Sequence, residues 1–87
     1  PLDSRILLQQ AWVASLLGRT DEAGEAFRRA LAIDPRNAGI WRALGHHLRR
    51  TGDATGARSA YQRAFDLTGD VEAKANLDEL AKPTAPR

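Results

Sequence analysis

The sequence predicts an all-α fold of five helices paired as antiparallel hairpins. Three observations carry this. The chain matches itself without a gap at an offset of 34: Gly18 meets Gly52, Ala23 meets Ala57, Ala26 meets Ala60, Phe27 meets Tyr61, Ala30 meets Ala64 and Ile33 meets Leu67. Apolar residues recur at three- and four-residue spacing within the segments. Gly18, Pro35, Gly52 and Gly69 fall between those segments, where a helix has to stop.

The first predicted helix runs from Leu2 to Leu17, with Asp3 or Ser4 as its cap. Its apolar residues include Leu2, Ile6, Leu7, Leu8, Ala11, Trp12, Val13, Ala14, Leu16 and Leu17, too many for one face. Such a helix is expected to be buried on more than one side. Thr20 is the expected cap of the second helix, followed by Asp21 and Glu22, whose charges suit a helix N-terminus. Ala23, Ala26, Phe27, Ala30, Leu31 and Ile33 form its apolar stripe, and Asp34-Pro35 ends it. Asn37 caps a third helix that runs to about Arg50. Asp53 caps the fourth, which carries Ala57, Ala60, Tyr61, Ala64, Phe65 and Leu67 and closes at Thr68-Gly69. Asp70 is expected to cap a fifth helix from Val71 to about Lys82. Residues 83–87 read as a disordered tail.

A chain of 87 residues makes one small domain. It buries only about 60–65% of its extended surface, so its stability is marginal by size. It has no cysteine, which suits a reducing compartment such as the cytoplasm and leaves no disulfide or thiolate site to reinforce the fold. No apolar run approaches the roughly 20 residues that span a bilayer. The chain contains no Met, and we expect it to be a piece of a longer protein.

Trp41, Leu44, Gly45, Ala57, Tyr61 and Ala64 follow the W-x2-L-G…A-x3-F order of a tetratricopeptide repeat (TPR), with Leu48 and Tyr61 in place of Tyr and Phe. On these residues the chain resembles the TPR family. The resemblance covers about 4–82. It implies a repeat at about 4–37, a second at about 38–71 and a capping helix at about 71–82, stacked as a short right-handed superhelix. In the first repeat only Ala23, Phe27, Ala30 and Pro35 match; Leu7, Gln10, Ala11 and Ala14 replace Trp, Leu, Gly and Tyr. Two repeats fall below the three or so that such arrays need for stability. Either a further repeat upstream or a second copy of the chain is expected to cover the apolar first helix.

The resemblance also implies a concave groove lined by the first helix of each repeat, where a peptide or protein segment binds. By that correspondence Leu8, Trp12 and Leu16 form one apolar strip at i, i+4, i+8. Arg42, His46 and Arg49 form a basic strip beside it, and Asn76 comes from the fifth helix. The expected ligand presents an apolar side chain and a carboxylate or acidic run, which Arg holds by paired hydrogen bonds. Arg42, His46 and Asn76 resemble part of the carboxylate-binding arrangement of one TPR subclass.

Other functions find little support. There is no Cys nucleophile and no HExxH spacing, and Ser4, Ser15 and Ser59 have no nearby His and acid in pattern, so no catalysis is expected. His46 and His47 point about 100° apart on a helix and cannot jointly hold a metal, so no cofactor is expected. Thirteen basic residues nearly balance eleven acidic ones and spread over several faces, against nucleic-acid binding. The expected role is non-catalytic protein–protein recognition, with homo-oligomerisation through the first helix as the alternative.

Overall fold

A computed structural model describes residues 3–69 and 71–81. They form five helices: α1 (Ser4–Leu16), α2 (Thr20–Ile33), α3 (Ala38–Arg50), α4 (Ala54–Thr68) and α5 (Val71–Ala81). The pairs α1/α2 and α3/α4 pack most extensively, α5 lies on α4, and α3 touches both α1 and α2. Among the described residues there is no strand, and no helix is long and apolar enough to cross a membrane. The expected tail at 83–87, the cap at Asp70 and the helix start at Leu2 lie outside the described residues.

The hairpin turns show why the 34-residue offset works. After α1, Gly18 adopts φ 79°, and the Arg19 amide donates to the Ala14 carbonyl at 2.9 Å. After α3, Gly52 adopts φ 92°, and the Asp53 amide donates to the Leu48 carbonyl at 2.8 Å. Each pair of positions differs by one repeat period. A positive φ is costly for any residue with a Cβ, so glycine at these two places sets where each hairpin turns.

The caps hold at three of the four testable starts. Asp3 accepts from the Arg5 amide at 2.8 Å, Asn37 from the Gly39 amide at 2.9 Å, and Asp53 from the Gly56 amide at 2.8 Å. Thr20 is not a cap. It is the first residue of α2, and Arg19 occupies the cap position with no side-chain hydrogen bond. The internal repeat explains this, since Arg19 corresponds to Asp53 and has the same backbone (φ −87°, ψ 75° against φ −92°, ψ 80°).

The core runs along the repeat seam. Leu7, Ala11, Ala23, Phe27, Ala30 and Ile40 form one buried cluster, with Leu8, Trp12 and Leu44 packed against it. Removing a side chain such as Phe27 from this setting costs about 3–5 kcal/mol. Ala57, Ala60 and Tyr61 are buried within the second hairpin. A Cβ on Gly45 would lie 2.6 Å from the Tyr61 ring, so Gly45 is what lets α4 seat its Tyr on α3. Trp41 fastens the turn between repeats. Its indole N–H donates to the Pro35 carbonyl at 2.9 Å, and the Arg63 guanidinium lies 5.3 Å over its ring.

The first helix carries more apolar surface than this chain covers. Leu7 and Ala11 are buried, but Ile6, Val13, Leu16 and Leu17 are about half exposed. The apolar face that exceeds one side of α1 is therefore uncovered in this chain.

Candidate functional site

Residues four apart on one helix share a face, and α1 and α3 lie side by side. Their facing residues enclose a groove of about 400 Å³, lined by Arg5, Leu8, Gln9 and Trp12 from α1 and by Gly39, Arg42, Ala43 and His46 from α3. Leu8, Trp12 and Ala43 supply its apolar surface. Arg5, Arg42 and His46 supply nitrogen donors beside it. Of the described residues that line it, none is acidic.

Arg5 is held at the rim by Asp3, with Nη2 to Oδ2 at 2.9 Å. That pairing pushes the Asp3 carboxyl below its ordinary value and the Arg5 guanidinium above its own. Both groups are exposed, so the pair orients Arg5 more than it stabilises the fold.

His46 is anchored from behind. Its Nδ1 lies 2.8 Å from the Tyr61 hydroxyl, and the two rings meet edge to face at 5.3 Å. On the other side its ring meets Trp12 at 6.2 Å, also edge to face. Gly45, Tyr61, His46 and Trp12 thus form a continuous path from the α3/α4 contact to the groove wall.

Four of the residues singled out from the sequence meet in this groove: Leu8, Trp12, Arg42 and His46. Three do not line it. Leu16 is exposed at the far end of α1, and Arg49 is exposed near the end of α3. Asn76 is half-buried on α5, where its Nδ2 is buried without a hydrogen-bond partner.

His47, next to His46, faces the seam with α1 and α2 instead. It is 3% exposed, its Nδ1 lies 2.8 Å from the Ser15 hydroxyl, and its ring packs on Phe27 at 5.4 Å. Burial, and then the nearby Arg50 charge, hold its pKa below the ordinary histidine value.

Sequence reading missed the roles of Ser15 and the Tyr61 hydroxyl. Both had a signal. Ser15 continues the buried Leu7–Ala11 stripe at i+8, and a polar residue on a buried stripe needs a partner. Tyr61 stands where the first repeat has Phe27, so its hydroxyl is an extra polar group that also needs one.

The comparisons agree with this architecture. The tetratricopeptide repeat family model matches residues 16–81. A TPR repeat-containing protein of Dictyostelium discoideum is 35% identical over 65 residues, which cover 75% of this chain. The chain spans about a quarter of that relative's length. With the repeat turns, the Gly45–Tyr61 packing and the family match all in agreement, the chain belongs to the tetratricopeptide repeat family.

Proposed function

We propose that this chain is a peptide-recognition module whose ligand lies in the α1/α3 groove. Tetratricopeptide repeats generally mediate protein–protein interaction. The observation that carries the finer reading is the lining of the groove, where an apolar surface from Leu8, Trp12 and Ala43 adjoins Arg5, Arg42 and His46 with no acidic lining residue among those described. A ligand that fits it inserts an apolar side chain against Trp12 and sets a carboxylate by Arg42 and His46. Charge-assisted hydrogen bonds of that kind are the stronger ones. Leu16, Arg49 and Asn76 are proposed to extend the contact for a longer ligand. In this role the chain performs no chemistry of its own.

The test is binding of a fluorescent peptide panel in which an aromatic or leucyl residue is flanked by acidic ones, read by anisotropy. Peptides with the acids replaced by amides serve as controls. Arg42→Glu is expected to weaken the best acidic peptide by at least about tenfold, equivalent to 1.4 kcal/mol. Trp12→Ala is expected to weaken acidic and amide forms alike. Equal binding of wild type and Arg42→Glu, with helix content unchanged, would count against the groove.

A further inference from the structure

Tyr61 and His46 occur together in the second repeat, and both are replaced in the first. One period earlier, Phe27 stands for Tyr61 and Trp12 stands for His46. The Phe27 and Tyr61 side chains are equally buried, so the core is filled with or without a hydroxyl. That hydroxyl meets the residue that changes along with it, at 2.8 Å from His46 Nδ1. The direction of this hydrogen bond decides what His46 offers to the groove. A phenol is the more acidic donor and an imidazole nitrogen the better acceptor, so O–H···N joins the stronger donor to the stronger acceptor. The bond made by one ring nitrogen fixes which of the two carries the proton, and here that places it on Nε2. The ring is also kept from turning over, because Tyr61 is fixed in the core and Trp12 meets the imidazole edge to face at 6.2 Å.

We infer that Tyr61 is a positioning residue for the groove: its hydroxyl donates to His46 Nδ1, so that the uncharged imidazole presents Nε2–H to the ligand as a donor. This rests on the groove reading above and adds a selectivity to it. The guanidinium groups of Arg5 and Arg42 hold donors only, and this tautomer sets a further donor beside them. The ligand group that fits is an acceptor with no proton to give. A carboxylate meets that requirement better than a carboxamide, because hydrogen bonds to a charged acceptor are the stronger ones, and an ammonium does not meet it at all. In the first repeat Trp12 takes the place of the histidine and Phe27 that of the tyrosine, so the apolar side of the groove needs no such tether.

The experiment has two arms, both on the 87-residue chain. In the first, the imidazole nitrogen shifts are read by NMR without ligand at about pH 8, where an ordinary histidine is neutral. His46 is expected to carry its proton on Nε2 and to accept at Nδ1; a proton on Nδ1 overturns the inference. In the second, the probes are a fluorescein-labelled pentapeptide with a leucine flanked by aspartates and its asparagine counterpart, read by anisotropy. Tyr61→Phe is expected to lower the acid-over-amide affinity ratio by about threefold or more, the size of one net hydrogen bond. In a His46→Ala background the same change is expected to leave the ratio alone, because the hydroxyl acts through the imidazole. A ratio that falls equally in both backgrounds overturns the inference, since the hydroxyl would then act through the fold. An acid preference that is lost in Arg42→Glu but stands in Tyr61→Phe sinks this inference and leaves the groove reading intact. No binding of either peptide to the wild type sinks the groove reading, and this inference with it.

Discussion

The His47 Nδ1 and the Ser15 hydroxyl meet at 2.8 Å inside the seam between the two repeats, joining α3 of one to α1 of the other. His47 is buried and also packs on Phe27 of α2, so one imidazole contacts both helices of the preceding repeat. Neutral, it fits; charged, it would lose hydration without an acidic partner at hydrogen-bond distance.

A pH dependence follows from this contact. The folded-state pKa of His47 is depressed below 6.5 by burial and then by Arg50. The unfolded chain therefore binds a proton more readily than the folded one. Stability from this group is complete above the unfolded value and is lost as pH falls through it toward the lower folded value. The slope reaches at most about 1.4 kcal/mol per pH unit. Urea melts between about pH 7.5 and 5 should show this loss, and His47→Gln should flatten it. An unchanged slope in that variant would assign the effect to another group.

Two glycines should respond oppositely to alanine. At Gly45 a Cβ would meet Tyr61 Cε1 at 2.6 Å and Cδ1 at 2.7 Å. The Tyr61 ring is fully buried and cannot retreat, so Gly45→Ala is expected to destabilise by about 1–3 kcal/mol. At Gly24 the nearest atom is the flexible Arg28 Nη1 at 3.7 Å. There Gly24→Ala gains helix propensity, about 0.8–1 kcal/mol. Chemical denaturation of the two variants gives the signs directly.

The vacant cap at Arg19 offers a gain. Its backbone matches that of Asp53, which accepts from the Gly56 amide at 2.8 Å. Arg19→Asp should supply the missing acceptor to α2 and stabilise by about 1 kcal/mol. The Arg19–Glu22 contact it removes is 3.7 Å long and exposed, and is worth little. Asp53→Ala should cost α4 a similar amount. A melt in which Arg19→Asp lowers stability would show that the two turns are not equivalent.

The Tyr61 hydroxyl should affect the groove more than the fold. Tyr61→Phe keeps the ring on Gly45 and removes the bond to His46 Nδ1. The expected loss is about 0.5–1.5 kcal/mol in denaturation. The imidazole nitrogen shifts of His46 should change by NMR while those of His47 stay the same. Unmoved His46 shifts would mean that the tether does not set the ring.

Much of this protein was legible one helix at a time. Stripes such as Ala23–Phe27–Ala30, the glycines of the hairpin turns and the 34-residue period are local features, because helix periodicity and left-handed turn conformations act over a few residues. The period also placed Leu8, Trp12, Arg42 and His46 on corresponding faces, and these four line one groove. Leu16, Arg49 and Asn76 passed the same local test and lie outside its lining, since sharing a helix face does not bring residues to the same depth along it. Other features depend on which helix lies beside which. The Tyr61 ring on Gly45 brings a hydroxyl to His46, and the repeat seam brings Ser15 to His47. The sequence by itself determined the helices, their turns and their family. Only the tertiary structure decided that one face of α1 is buried and the other open, because burial depends on the distance between helices, and no period within a helix encodes that distance.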